Sequence, residues 1–461
     1  MPVLKSVDIA RRAETGRLMT NGDFTVSALG RNVAELQRKY QLRYDPAVLM
    51  ECDAQLAHRA WSAGRELLER TGVFVSSSRR VIAFTAEDIE DALDAAGSEL
   101  VLGEPPDAVS MSPDGIPLVF SGPFNAITDD RWFLPLNECF ARERAIDVLH
   151  IPGSLAEFHG QPFRPESALA VEAAAFYGRQ AREAVARAGR PGMPIVGHVF
   201  MALGEVAASH GGWGLRASDG RAVAFTQDLV LEDHQLARIS HYRHFGTPVF
   251  LAFTPLIAGP GPSSDPAAAA IIAVASAIAS ACLGCRVAHF GPQHARLRQQ
   301  ANPQSIWCAS LVARAVRNHS RLLLVTSHTT GAGPGTPQYA YEFTASLLAS
   351  ATAGVHVAGP RPAESPHRNA VSPLMARLFA RVARGARELP PGQADGLARE
   401  LLSRFSDRMA VGIAPAGLPF EELYDVQALV PRDEHVSLYE QLETELGGLG
   451  IPLPPARGSG G

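Results

Sequence analysis

Residues 193–202 read MPIVGHVFMA and follow the turn-forming AGRPG at 188–192. Apart from His198 the run is apolar from end to end, with no alternation of apolar and polar positions. A strand of that kind is covered on both faces, as in a parallel sheet wrapped by helices. A period of two puts Val196, His198 and Phe200 on one face and Ile195 and Val199 on the other. His198 then has two readings: a core histidine bonded to a neighbouring element, or a site residue near a strand end.

The same rhythm recurs on both sides of this run. Apolar segments IPLVFSG (116–122), AIDVLHIPG (145–153), PVFLAFTPLIAG (248–259), CRVAHFGP (285–292), RLLLVTS (321–327) and AGVHVAG (353–359) alternate with helix-like stretches. Those at 165–189 and 302–320 are the clearest. Seven or eight strand–helix units favour an α/β fold of the (β/α)8 TIM-barrel type over an open doubly wound sheet. Gly and Pro cluster after several strands, as in SGPFNAITDD, IAGPGPSSDP, HFGPQH and TTGAGPGTPQ. These are the carboxyl ends of the strands, where a barrel keeps its active site.

The barrel is assigned to residues 106–452. Residues 1–105 form a mostly helical extension packed on it, and 453–461 a disordered tail. Within the extension, residues 45–72 carry apolar positions at helical spacing and stop at Gly72, and Thr85 is placed to cap the helix that follows, with Asp88 in its first turn. GVFVSS and RRVIAF are short β-prone pieces between these helices.

Composition narrows the function. Hydrophobic residues make up 46% and charged residues 19% of 461, which implies a sizeable core. A formal net charge of −5, with no basic stripe interleaved with aromatics, argues against nucleic acid as the partner. The Ala/Ser-rich run at 266–285 reads as a buried barrel helix rather than a membrane span. Five scattered cysteines and no signal-peptide pattern point to the cytoplasm.

HFGPQHARLR (289–298) is the densest chemical stretch. His289, Gln293, His294 and Arg296 follow a strand end and a Gly-Pro turn, where imidazole and guanidinium can meet an anionic or carbonyl group. VTSHTTGAGPGTPQ (325–338) adds Ser327 and His328, with glycines that can offer backbone N–H groups to an anion. It lacks the Gly-Lys-Ser/Thr of a phosphate loop. Cys282 and Cys285 have ligand-like spacing but no second pair nearby, and His241 and His244 read as helix surface, so no metal site is expected.

In their order and spacing, ELLERTGVFV, RRVIAFTAEDI, VLGEPPDAV, GPFNAITDDRWFLPL, AGRPGM, GPQHAR, AGPGT and APAGLPFEELYDVQALVP run nearly the whole length of the chain. They resemble the monomethylamine methyltransferase family, barrel enzymes that pass a methyl group from methylamine to a cobalt corrinoid on a separate protein. The resemblance implies a (β/α)8 barrel, a polar cavity at the strand ends and a homo-oligomer, often a hexamer. It also implies that Val196 stands where the family carries its electrophilic pyrrolysine. Family glutamates match Ala252 and an apolar residue near Phe225, and a family glutamine matches Ser327. Gly291, Pro292, His294 and Arg296 persist.

The expected function is therefore a methyltransferase-like barrel enzyme acting without pyrrolysine. It binds no cofactor tightly and passes the methyl group of a small, quaternary amine-type substrate to a corrinoid-binding protein. His198, His289, His294, Arg296 and His328 are the candidate catalytic residues. Val196, Phe200, Ala252, Phe290, Gln293 and Ser327 are the candidate pocket residues. One alternative is His/Arg acid–base chemistry on a small carboxylate or carbonyl compound without a corrinoid; another is a non-catalytic paralogue.

Overall fold

The computed structural model describes residues 6–124, 126–164, 167–197 and 214–455. Eight short parallel strands close on themselves in chain order: β1 (Val119–Ser121), β2 (Val148–His150), β3 (Ile195–Gly197), β4 (Gly220–Ala224), β5 (Val249–Phe253), β6 (Val287–Phe290), β7 (Leu323–Thr330) and β8 (His356–Pro362). Seven of them begin within the apolar runs above, and Leu323–Thr330 and His356–Pro362 continue three residues past theirs. The eighth, β4, is DGRAVAF around Arg221, a charged residue that breaks the apolar pattern.

Helices cover the barrel: α1 (Asp130–Arg142), α2 (Ala168–Arg187), α3 (Asp233–His244), α4 (Pro266–Cys282), α5 (Pro303–His319), α6 (Pro337–Thr352) and α7 (Pro373–Ala386). Their starts follow local chemistry. Asp265, Asn302, Thr336 and Ser372 cap α4 to α7 through side-chain oxygens, and each of these helices has Pro in its first turn. All seventeen residues of α4 are buried, because it lies between the barrel and the amino-terminal extension. No described helix is long and apolar enough to cross a membrane.

Alternate strand residues fill the barrel. Phe120, Val148, Val196, Ala222, Phe250, Val287, Leu323 and Ala358 form one buried interior cluster. A hairpin of Leu100–Leu102 and Val109–Met111 plugs the amino ends, its Leu100, Leu102 and Met111 joining that cluster. Burying an aliphatic or aromatic side chain in this way contributes about 1.5–3 kcal/mol each.

The extension is helical with β pieces. Its helix Ala54–Thr71 is capped by Asp53 and ends at Gly72, whose φ of +66° suits glycine. Gly64 on that helix lets Val274 of α4 approach closely. Val73–Val75 pairs with Arg80–Ile82 and with Val230–Leu231. Thr85 and Asp88 form a reciprocal capping box, and Arg12 grips the Asp88 carboxylate through two nitrogens at 2.6 and 3.0 Å. Past the barrel, helices Pro391–Ser403 and Asp433–Gly448 pack over α6 and α7. Leu453 and Pro454, placed by the sequence in a disordered tail, are held in the fold: their carbonyls accept from Arg381 at 2.9 and 2.8 Å.

Candidate active site

Above the interior plug, the carboxyl ends of β4 to β8 surround a cavity of about 630 Å³. Period-two alternation sends Ala224, Ala252, His289 and Ser327 inward from four successive strands. Phe124 and Ile151, from the loops after β1 and β2, complete the wall. Both hold left-handed backbone conformations (φ +46° and +43°), strain that proteins tend to retain at functional sites. Thr25 of the extension also lines the cavity, so the amino-terminal segment is part of the site. A concavity of about 590 Å³ lies on the opposite face, around Arg243 and Arg286, away from the strand ends.

His289 is the best placed of the expected residues. It is 4% exposed, and neither ring nitrogen has a hydrogen-bond partner. Burial pushes its pKa down to about 4, so the ring is neutral at pH 7. His150, at the end of β2, lies 5.2 Å from it, ring centroid to centroid. Burial, and then the charges of His289 and Arg361, hold His150 well below the usual imidazole range. Phe124 touches both rings, with centroids 4.6 Å from His150 and 5.9 Å from His289.

The loop after β6 is tied to β7. Gln300 accepts from the Thr329 backbone N–H at 2.9 Å and donates to Ser327 Oγ at 3.3 Å. A side chain at Gly291 would collide with both Ser327 and Gln300. Gln293, Ala252 and Ser327 line the cavity, as expected. One carboxylate missed from the sequence, Asp228, also lines it. Burial raises its pKa, opposed by a hydrogen bond from Ser263.

Several expected residues lie elsewhere. His328 follows Ser327 on the same strand and so faces the helices. Its ring contacts Thr326 Oγ1 (3.2 Å) and Ser346 Oγ (3.1 Å), which makes it a satisfied core histidine. Phe290 likewise alternates outward and stacks on Phe253 at 6.0 Å. His294 is half-buried on a two-residue strand, and its Nδ1 accepts from the Leu297 N–H at 3.2 Å. Arg296 is exposed, and neither residue lines the cavity. The N–H groups of Gly331 and Ala332 already serve the buried carboxylate of Glu342, at 2.5 and 3.0 Å, so that glycine-rich turn offers no anion site. Val196 is fully buried beside His150 in the interior cluster. His198 and Phe200 lie outside the described residues.

Fold and cavity together define the class: a (β/α)8 barrel with a largely apolar cavity, carrying a few polar groups, at its carboxyl face. The model of the family "Monomethylamine methyltransferase MtmB" matches residues 4–451, and the chain belongs to that family of methyltransferases. The chain is 25% identical over 453 residues to monomethylamine methyltransferase MtmB2 of Methanosarcina acetivorans, covering 96% of this chain and 97% of that one. It is 24% identical, with the same coverage, to MtmB1 of Methanosarcina barkeri. The crystal structure of the M. barkeri enzyme superposes with a TM-score of 0.92 at 23% identity, over 98% of this chain and 99% of that chain. A structure of the hydroxylamine MtmB complex superposes equally well.

Proposed function

We propose that this chain transfers a methyl group from a small quaternary ammonium, or comparable onium, substrate to a corrinoid on a separate protein, without forming an amine adduct. The observation behind this reading is Val196. By the resemblance, its buried isopropyl group stands where the family carries an electrophile for methylamine, and an isopropyl group binds no amine. An onium substrate needs no such adduct. Its nitrogen is already positive and departs as a neutral tertiary amine with the electrons of the broken C–N bond, so no proton has to move.

The cavity suits that substrate. Phe124, Phe225 and Phe253 are among its lining residues, aromatic groups of the kind that hold a cation, and Asp228 brings a carboxylate. Neutral His289, Ser327, Gln293 and Gln300 are positioned to orient the remainder of the molecule. The volume is that of a small-molecule site. A corrinoid presented by its carrier at the mouth would supply the nucleophile that accepts the methyl group. His198, a catalytic candidate from the sequence, lies outside the described residues. A homo-oligomer, hexameric by resemblance, and a cytoplasmic location belong to the same proposal.

The test is product analysis by 13C NMR. The chain, a reduced corrinoid protein and 13C-methyl-labelled quaternary amines should yield the tertiary amine and a labelled methylcorrinoid, whereas labelled methylamine should yield no methylcorrinoid. Turnover of methylamine alone would overturn the reading.

One observation favours a second reading. The unpartnered nitrogens of His289 make it a competent general base or acid toward a small carboxylate or carbonyl compound, with no corrinoid. Turnover in the absence of any corrinoid would select it. The unpaired polar atoms of His289, Thr329 and Arg361 in the cavity wall argue against a non-catalytic paralogue, because such groups are costly to retain.

A further inference from the structure

Where β7 meets β8, the cavity wall carries polar groups that the protein leaves unmet. Thr329 and Arg361 are register partners on these strands, and both line the cavity. Thr329 is 4% exposed and its Oγ1 has no partner. Arg361 donates from Nη1 to the carbonyls of Pro362 (2.8 Å) and Ala363 (3.3 Å), while its Nε is shielded and unpartnered. Among the described residues no carboxylate pairs with it. Instead the Phe124 ring lies 5.2 Å beneath the guanidinium carbon. An enclosed guanidinium without a counter-ion is costly, and a bound anion removes that cost.

The placement of Arg361 is specific to this backbone. Ser327 pairs with Ala358 and Thr329 with Arg361, so two steps on β7 match three on β8. Plain alternation from Ala358 would turn Arg361 toward the helices; the bulge turns it inward. Gly359, within the bulge, has φ +139°, and a Cβ there would lie 2.8 Å from the His328 carbonyl oxygen, so glycine is required.

We propose that Arg361 and Thr329 form an anion subsite that takes the carboxylate of a zwitterionic substrate whose other end is the onium group. The onium end rests on the function proposed above; the anion subsite rests on these residues alone. The guanidinium fork matches a carboxylate, and the Thr329 hydroxyl adds a donor. β8 lies opposite β4 in the barrel, so Arg361 draws one end of the substrate away from Phe225 and Asp228, which follow β4.

Titration calorimetry tests this with three probes: glycine betaine, choline and propionate. On the wild-type chain glycine betaine should bind at least about tenfold more tightly than choline. Arg361→Met should abolish that preference by weakening glycine betaine, Arg361→Lys should restore part of it, and Thr329→Val should weaken glycine betaine severalfold. If Arg361→Met fails to fold by circular dichroism, Thr329→Val and Arg361→Lys still decide the matter. Choline binding as tightly as glycine betaine, or both ligands being indifferent to changes at 329 and 361, overturns the subsite. Arg361-dependent propionate binding with no methyl release from any onium compound keeps the subsite and removes the methyl-transfer reading.

Discussion

Phe124 and His289 lie nearly ring over ring, their planes 18° apart and centroids 5.9 Å apart. The contact packs a buried imidazole into the cavity wall, and that burial sets a pH dependence. The folded-state pKa of His289, about 4, lies below the ordinary value of 6.5. As pH falls through 6.5 the unfolded chain takes up the proton first, so stability declines between about 6.5 and 4. The slope is up to about 1.4 kcal/mol per pH unit for one histidine. Urea unfolding at pH 7.5 and 5 should show this loss, shared with the other buried histidines, and His289→Gln should lessen it. Equal stability at both pH values would contradict the assignment.

The environment of Val196 predicts inertness toward amine nucleophiles. Intact-mass spectrometry after incubation with hydroxylamine or methylamine should show no adduct on the chain. A mass gain mapping to the cavity would reveal an electrophile that Val196 does not supply.

Asp228 is the carboxylate on the cavity wall closest in sequence to the aromatic Phe225. Asp228→Asn removes the charge and keeps the shape, so the hydrogen bond with Ser263 can persist. Binding of tetramethylammonium should weaken about tenfold while propionate binding holds or improves. Unchanged onium affinity would place the cation elsewhere.

Glu342 holds two backbone N–H groups of the turn after β7 and accepts from Gln338 Nε2 at 2.7 Å. Glu342→Ala orphans buried donors and should cost about 2–4 kcal/mol, read as a drop in urea midpoint, with Glu342→Gln milder. Wild-type stability in Glu342→Ala would mean the turn finds other partners.

The barrel was legible because seven of its strands are continuous apolar runs followed by Gly/Pro turns. The strand Gly220–Ala224 was hidden because Arg221 interrupts its apolar pattern. In the site, alternation decided what could be read. Ser327 and His328 cannot both face inward from a regular strand, nor can His289 and Phe290, and only the first of each pair does. Arg361 escaped for the opposite reason. The bulge after Ala358 reverses the parity by which a reader would have turned it outward, and Gly359–Pro360 is its only trace in the sequence. Asp228 sits in a loop whose approach to the barrel mouth no local pattern encodes.

The central claim is methyl transfer from an onium substrate without an amine adduct. Its most direct measurement is the absorbance spectrum of a reduced corrinoid protein mixed with this chain, before and after adding substrate. The account predicts a spectral conversion, stoichiometric in corrinoid, with a quaternary ammonium compound and none with methylamine. Conversion by methylamine and none by any quaternary compound would contradict it.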